Sequence, residues 1–213
     1  MYYDVIIEKI IEWKNYNGVG DEYRKTHDRD CILTNGNLYA DTIFSLWLPL
    51  RYTLEFVNCD KWNEWKKKDV RKQDIDFFDD LIENINTYLP EEKIEKLHLD
   101  KLFHFGMKRA NVMILPYRQW NTQRGNFPYY EYMPHFLYDK LNTENIDFLN
   151  VVKKWILDEH LDMFFNDGNI DKESIIDLAG TGSVTSHKPE AINLEVLFKN
   201  YIDILEKRSK YYM

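Results

Sequence analysis

DIDFFDDLIENINTYLPEEKIEKLHLDKLFHFG, residues 74–106, is the stretch that indicates most clearly how this chain folds. From Asp74 to Leu89, apolar residues recur every three or four positions and acidic residues lie mostly between them, which is the pattern of an amphipathic helix. Pro90 suits the first turn of a second helix, Glu91–Phe105, and Gly106 suits its C-terminal end. The stretch therefore predicts two consecutive helices.

The same helical period recurs on both sides of this stretch. The further helices that it predicts are Tyr3–Lys14, Thr42–Phe56, a short helix that includes Trp62 and Trp65, Thr143–Phe165, Lys172–Leu178 and Glu190–Lys207. Asp41 has a side chain that suits the N-cap of the helix at Thr42–Phe56. Pro49 lies inside that helix, and because proline has no backbone N–H we expect a kink or a break near Leu48.

Two regions indicate strands. Asn111–Leu115 is a short apolar run that ends at Pro116, and the turn signal Asn35-Gly36 predicts a hairpin within Ile32–Tyr39. The aromatic-rich stretch Tyr117–Pro134 has no helical period and is predicted to be a long loop. Long loops inside compact domains are often functional.

Length and composition favour one domain. A chain of 213 residues is near the upper end for a single domain, and 6 Trp, 12 Phe and 15 Tyr supply material for a large core. No repeat of fixed period occurs, so a solenoid is not expected. The predicted fold class is mainly α: one compact globular domain, residues 1–213, with a small antiparallel sheet or hairpin.

Charge, cysteine count and hydropathy restrict the class of protein. The net charge of -8 argues against a protein that coats DNA, because phosphate binding needs a positive surface. The two cysteines, Cys31 and Cys59, are too few for a disulfide framework and are interpreted as reduced thiols. The longest uncharged stretch, Thr42–Leu50, is far shorter than the ~20 residues of a membrane span. With no signal peptide at the N-terminus, we expect a soluble, cytoplasmic protein.

Two stretches resemble known functional motifs but lack the residues that those motifs need. Residues 163–171, MFFNDGNID, resemble the core of the Fic-type AMP-transferases, His-x-Phe-x-Asp/Glu-Gly-Asn-Gly-Arg. Met163 replaces the catalytic histidine and Asp171 replaces the phosphate-holding arginine, so this chemistry is excluded and a helix-ending turn is predicted. The glycine-rich stretch at Gly180–Ser186 lacks the preceding strand and the Gly-Lys-Ser/Thr ending of a phosphate loop, and is interpreted as a flexible connector.

Metal-binding spacings are also lacking. His27, Asp28 and Cys31 are close in the sequence, but no CxxC, HxxxH or HExxH pattern occurs. We therefore predict no metal site and no cofactor.

The segment Tyr117–Tyr130, YRQWNTQRGNFPYY, concentrates two arginines, several amides and five aromatic residues. Arginine presents a planar fork to phosphate or carboxylate, and aromatic rings present flat faces to bases. This Arg/aromatic segment predicts a binding site for a small anionic ligand or a protein partner. The alternative is a structural loop whose polar groups satisfy local carbonyls.

Three blocks of the chain resemble an uncharacterised family of bacterial and phage proteins. They are Tyr39–Ile43 followed by Trp47, then Val112–Pro116, then Asn121–Gly125, in the same order and at similar spacing. In that family an apolar strand ending in proline precedes an Asn-x-x-Arg-Gly stretch and a long helix. The chain lacks the family's Leu-Trp-Ser-Lys block. The resemblance implies a bacterial or phage origin and candidate positions, but no reaction.

The leading hypothesis is a non-catalytic binding or regulatory protein of bacterial or phage origin, which includes a host-defence or counter-defence factor. It would act through the Arg/aromatic segment on a protein partner or a small anionic ligand such as a nucleotide. The predicted site residues are Arg124, Asn121, Arg118 and Trp120, with Asp41 and Trp47 nearby.

The alternative is a small enzyme that acts on a nucleotide or a nucleic acid. Arg118 and Arg124 would hold the phosphate, and His27, Asp28 or His104 would serve as acid or base. A third interpretation is a subunit of a homo-oligomer, which an exposed aromatic patch would indicate.

Overall fold

The computed structural model describes residues 2–18, 39–44, 47–57, 59–67, 75–106, 108–117, 120, 132–185 and 192–213. Within these residues the chain is mainly helical, as predicted. None of the helices in this part is long and apolar enough to cross a membrane. The hairpin predicted at Asn35-Gly36 lies outside the described residues.

Seven of the described helices precede residue 108 and three follow it. The first group is α1 (Tyr2–Gly18), α2 (Trp47–Phe56), α3 (Asp60–Lys67), α4 (Ile75–Glu83), α5 (Ile85–Tyr88), α6 (Glu91–Leu97) and α7 (Leu99–Phe105). The second group is α8 (Met133–Leu141), α9 (Ile146–Asp158) and α10 (Leu194–Ser209). Three short 3-10 turns lie at Arg109–Asn111, Asp162–Phe164 and Asn166–Gly168.

The helix predicted to begin after Asp41 is wrong in its first part. Asp41 lies in a strand, β1 (Tyr39–Thr42), and is therefore no N-cap, and α2 begins only at Trp47. Pro49 is the third residue of α2. The first backbone N–H groups of a helix have no acceptor within it, so proline costs little at this position. Pro49 therefore lies at the start of a helix and does not bend one.

Two predicted helices are each divided in the structure. Asp74–Leu89 is divided at Asn84, whose side-chain amide donates to the backbone oxygen of Asp80 at 3.1 Å. Glu91–Phe105 is divided at His98, which adopts the left-handed conformation with φ 50° and ψ 39°. Leu97 and Leu99, on either side of His98, are both buried. Because both halves face the same core, the apolar period continues through the break.

Two predictions in the C-terminal half also need correction. The helix predicted at Thr143–Phe165 is shorter, since α9 starts after Asn145, which accepts a hydrogen bond from the Phe148 amide at 3.0 Å. The helix predicted at Lys172–Leu178 is wrong. Its residues form turns, and Ile175 pairs with Phe165 in an isolated antiparallel bridge.

The helix-ending turn predicted at residues 167–169 is a turn in the structure, but it does not end a helix, because α9 already ends at Asp158. The turn closes the loop between Phe165 and Ile175. Asp167 and Gly168 have positive φ angles of 53° and 69°. The Asn166 amide donates to the Ser174 carbonyl at 2.8 Å, so the two sides of the loop are joined by backbone hydrogen bonds.

The sheet has two described strands. β1 pairs antiparallel with β2 (Val112–Leu115), with Tyr39 opposite Leu115 and Thr42 opposite Val112. The predicted strand at Asn111–Leu115 is therefore confirmed. Asn111 extends the pairing, because its buried side chain accepts from the Phe44 amide at 2.9 Å and donates to the Phe44 carbonyl at 2.7 Å.

Side chains cover the second edge of β2. The Ile114 amide donates to the carboxylate of Glu159 at 3.0 Å, and the indole N–H of Trp155 donates to the Ile114 carbonyl at 2.7 Å. The Val112 carbonyl accepts from Arg109 at 2.6 Å and from Arg208 at 3.2 Å. These four side chains take the place of a third strand.

Arg208, on α10, is fully buried. Its guanidinium donates to the carbonyls of Glu159, His160, Ala110 and Val112 and to the hydroxyl of Tyr212. Burial lowers the pKa of Arg208 to about 10, so the group still bears its charge at neutral pH. The buried charge is stabilised by oxygen acceptors on several segments at once.

The core joins helices from both halves of the chain. Buried apolar side chains from α1, α7, α8, α9 and α10 belong to one cluster, for example Ile6, Ile10, Leu102, Phe103, Phe136, Ile156, Tyr201 and Leu205. Phe44, two residues after the end of β1, packs on Tyr201 of α10 with ring centroids 4.3 Å apart. The helix α10 therefore contacts the sheet region through Phe44 as well as through Arg208.

We expect Arg208→Met to lower the free energy of unfolding by about 3–5 kcal/mol, because it leaves several buried carbonyls without a donor. Arg51→Met is the matched control, since Arg51 is more than a third exposed and contacts only Glu55 among the salt-bridge partners described. The control should change stability by less than about 1 kcal/mol. Urea unfolding measures both variants, and equal effects would contradict this account.

Candidate functional site

The structure describes some of the predicted site residues and not others. Arg118, Asn121 and Arg124 lie outside the described residues, as do His27 and Asp28. The predicted convergence of Arg124 with its neighbours therefore stays a prediction.

Asp41 and Trp47, the two predicted residues from the N-terminal half, are placed by their backbones. Asp41 is opposite Met113 in the sheet, and Trp47 is the first residue of α2. Trp120 is the one predicted site residue whose side chain is described.

Trp120 belongs to an aromatic cluster, defined here as Tyr117, Trp120, Phe136, Phe148 and Trp155. Trp120 is only 2% exposed. Its ring centroid is 5.1 Å from that of Trp155 and 5.8 Å from that of Phe136, in edge-to-face arrangements that aromatic pairs prefer. Trp120 therefore anchors the Arg/aromatic segment to helices α8 and α9.

A buried cation lies against the same rings. Lys140 of α8 is 6% exposed, and its Nζ is 5.2 Å from the centroids of both Trp120 and Phe136. Its Nζ also contacts the carboxylate of Asp139 at 2.8 Å. Cation–π contact of this kind strengthens when the ammonium is shielded from water. Lys140 was missed in the sequence, although it follows Phe136 and Leu137 at helical spacing on an apolar face.

Tyr117 is the most exposed member of the cluster. The residue is 37% exposed, and its ring stacks on Phe148 with an interplanar angle of 21° and centroids 6.4 Å apart. The Trp120 amide donates to the Tyr117 carbonyl at 3.1 Å, which joins the backbones of these two cluster members. The ring of Tyr117 is thus supported from beneath and accessible from outside.

Tyr132 is anchored by hydrogen bonds two residues after the end of the Arg/aromatic segment. Its hydroxyl donates to the carboxylate of Asp177 at 3.1 Å and accepts from the Ala179 amide at 3.1 Å. Burial raises the pKa of Tyr132 above its ordinary value of 10.0, and the neighbouring Tyr201 and Asp177 raise it further. Two buried aromatic residues are therefore held in place on either side of Arg124 in the sequence, Trp120 within the segment and Tyr132 two residues after it.

Asp177 also organises the glycine-rich stretch that was interpreted as a flexible connector. Its carboxylate accepts from the Gly182 amide at 2.6 Å and contacts the hydroxyl of Thr181 at 3.4 Å. Gly180 and Gly182 have φ angles of 66° and 82°, which glycine adopts without strain. The described part of this stretch is an ordered loop around an aspartate, and the Gly182 amide is directed at that carboxylate.

His104, the described member of the predicted acid–base candidates, lies elsewhere on the surface. It is exposed on α7 and lines a groove of about 300 Å³ between α1, α7 and α10. The other lining residues are Val5, Asp100, Lys101, Phe105 and Glu206. The groove shares no residue with the aromatic cluster. Among the described residues, no group of three or more His, Cys, Asp and Glu could hold a metal ion.

The chain matches no family model, no curated protein and no solved structure. The expected resemblance to a bacterial and phage family therefore stays a prediction, although the blocks Tyr39–Ile43 and Val112–Pro116 contain the paired strands β1 and β2.

The Tyr132 hydroxyl leads to a prediction on pH dependence. At pH 7, Tyr132→Phe should be less stable than the natural protein by about 1–2 kcal/mol, because Asp177 and the Ala179 amide lose a partner. Above pH 10 the tyrosine ionises in the unfolded chain while the buried hydroxyl keeps its proton. The free energy of unfolding that the Tyr132 hydroxyl adds to the natural protein should therefore decrease as the pH rises above 10.

Urea unfolding of both proteins between pH 7 and pH 11.5 measures this difference. The gap should narrow above pH 10, at a rate approaching ~1.4 kcal/mol per pH unit. A gap that stays constant over this range would contradict the assigned burial of the hydroxyl.

Proposed function

We propose that this chain is a binding or regulatory protein that holds an anionic ligand with a planar group, such as a nucleotide, on its Arg/aromatic segment. The supporting observation is Tyr117, a residue that is 37% exposed, stacks its ring on Phe148 and directly precedes Arg118 in the sequence. An exposed and supported aromatic face is a platform on which a nucleobase stacks. A bacterial or phage origin and a role in host defence or counter-defence belong to the same proposal.

Anchoring at both ends supports binding by this segment. Trp120 and Tyr132 are fixed by packing and hydrogen bonds before any ligand arrives. A segment whose ends are held in place loses less conformational freedom on binding than a free loop of the same length. The arginines between and beside the anchors then supply charge, since a guanidinium matches the geometry of a phosphate.

The alternative, a small enzyme acting on a nucleotide or nucleic acid, is favoured by one observation. His104 lies in a groove beside the carboxylates of Asp100 and Glu206, and imidazole with carboxylate is a common acid–base combination. However, two carboxylates at the groove repel a phosphate group, and Lys101 is the single lysine among the lining residues. The charges of the groove therefore favour the binding proposal over the enzyme.

The proposal is tested by titrating the protein with adenosine and guanosine triphosphates in a calorimeter. We expect binding of at least one of them, and at least a tenfold rise in Kd in Arg124→Ala and in Tyr117→Ala. The first change removes a phosphate partner and the second removes the stacking platform. The melting temperature should stay within a few degrees of that of the natural protein.

Arg51→Ala is the control, because it removes an equal charge from a half-exposed arginine that contacts Glu55 on α2. It should leave the Kd unchanged. If neither triphosphate binds, or if Arg124→Ala lowers stability without weakening binding, the segment is structural. If a nucleotide is hydrolysed and His104→Ala stops the reaction, the enzyme alternative replaces the proposal.

A further inference from the structure

The groove between α1, α7 and α10 has features of a second binding site. Its apolar surface comes from Val5 of α1 and Phe105 of α7, and its charged residues include Asp100 of α7 and Glu206 of α10. We propose that this groove binds a lysine or arginine side chain of a partner protein. The proposal does not depend on the Arg/aromatic segment.

The size and the apolar surface of the groove suit one long side chain. Its volume of about 300 Å³ is at the lower end of the range for ligand pockets. Val5 and Phe105 are both partly exposed, and each lies on a helix whose other side chains enter the core. Lysine and arginine cover such apolar surface with their methylene stems while the charged head reaches polar groups at the edge.

The unpaired carboxylates support a cationic occupant. Within the part of the chain that the structure describes, neither Asp100 nor Glu206 has a salt bridge or a side-chain hydrogen bond. By contrast, two other acidic residues of α10 form salt bridges. Asp203 pairs with Lys199 at 3.0 Å, and Glu195 pairs with Lys96 at 2.5 Å. Two free carboxylates from different helices beside an apolar surface match the head and stem of a basic side chain.

The other charges near the groove do not cancel this preference. Lys101 is one cation on the lining, against the two carboxylates of Asp100 and Glu206. The whole chain has a net charge of -8, which also attracts a basic partner. A metal ion fits less well, because a hard cation needs several oxygen ligands and the lining residues include two carboxylates, Asp100 and Glu206.

The test uses the full chain labelled with ¹⁵N and two synthetic peptides, acetyl-Gly-Leu-Lys-Leu-Gly-amide and acetyl-Gly-Leu-Glu-Leu-Gly-amide. Amide chemical shifts are followed while each peptide is added up to millimolar concentration. We expect the lysine peptide to cause saturable shifts at Val5, His104 and Phe105. The glutamate peptide should leave these amides unchanged.

A matched pair of double variants separates the groove from the overall charge. Asp100→Asn with Glu206→Gln removes the two groove carboxylates and should raise the Kd of the lysine peptide by about three- to tenfold. Asp158→Asn with Asp203→Asn removes the same charge at residues that pair with Lys154 and Lys199, and should change the Kd by less than twofold.

Three results would overturn the proposal. They are shifts that do not saturate or that lie away from the groove, equal effects of the two peptides, and equal weakening by the two double variants. Because all four substituted residues are on the surface or near it, every variant should fold, and its amide spectrum shows whether it does.

Discussion

The side-chain cover of the second edge of β2 is the constraint on which the rest of the structure depends. A two-stranded sheet is marginal by itself, and an open edge leaves N–H and C=O groups that pair with other chains. Here the Glu159 carboxylate accepts from the Ile114 amide, and the Trp155 indole donates to the Ile114 carbonyl. The guanidinium of Arg208 donates to the carbonyls of Ala110 and Glu159. The polar groups of the strand are thereby satisfied, and α9 and α10 are fixed to the sheet.

The candidate binding surface depends on the same contact. Trp155 donates its indole N–H to Ile114 and packs its ring edge-to-face on Trp120, so one side chain joins the sheet to the anchor of the Arg/aromatic segment. Tyr117 lies two residues after the end of β2. Its ring stacks on Phe148, which is on α9, as Trp155 is. The platform proposed for ligand binding is therefore positioned by the sheet and by α9 together.

Periodicity predicted most helices, because it reports which residues face the core. It did not predict the break at His98, since the apolar face continues across a change of backbone conformation. It also made Asp41 the N-cap of a helix, because the local sequence does not show that Asp41 pairs with Met113, 72 residues later. Composition named Trp120 as a site residue but cannot distinguish a buried anchor from an exposed contact. The burial of Arg208 could have been predicted, because this residue follows Leu205 at helical spacing on the buried face of α10.

Hydrogen exchange of single amides, followed by NMR, tests the central claim most directly. The Ile114 amide faces away from β1, so in an uncovered edge strand it would exchange nearly as fast as an unstructured amide. Its bond to Glu159 predicts slow exchange, with a protection close to that of Met113, which faces β1. Rapid exchange of Ile114 beside a protected Met113 would show that the edge is open, and would contradict this account.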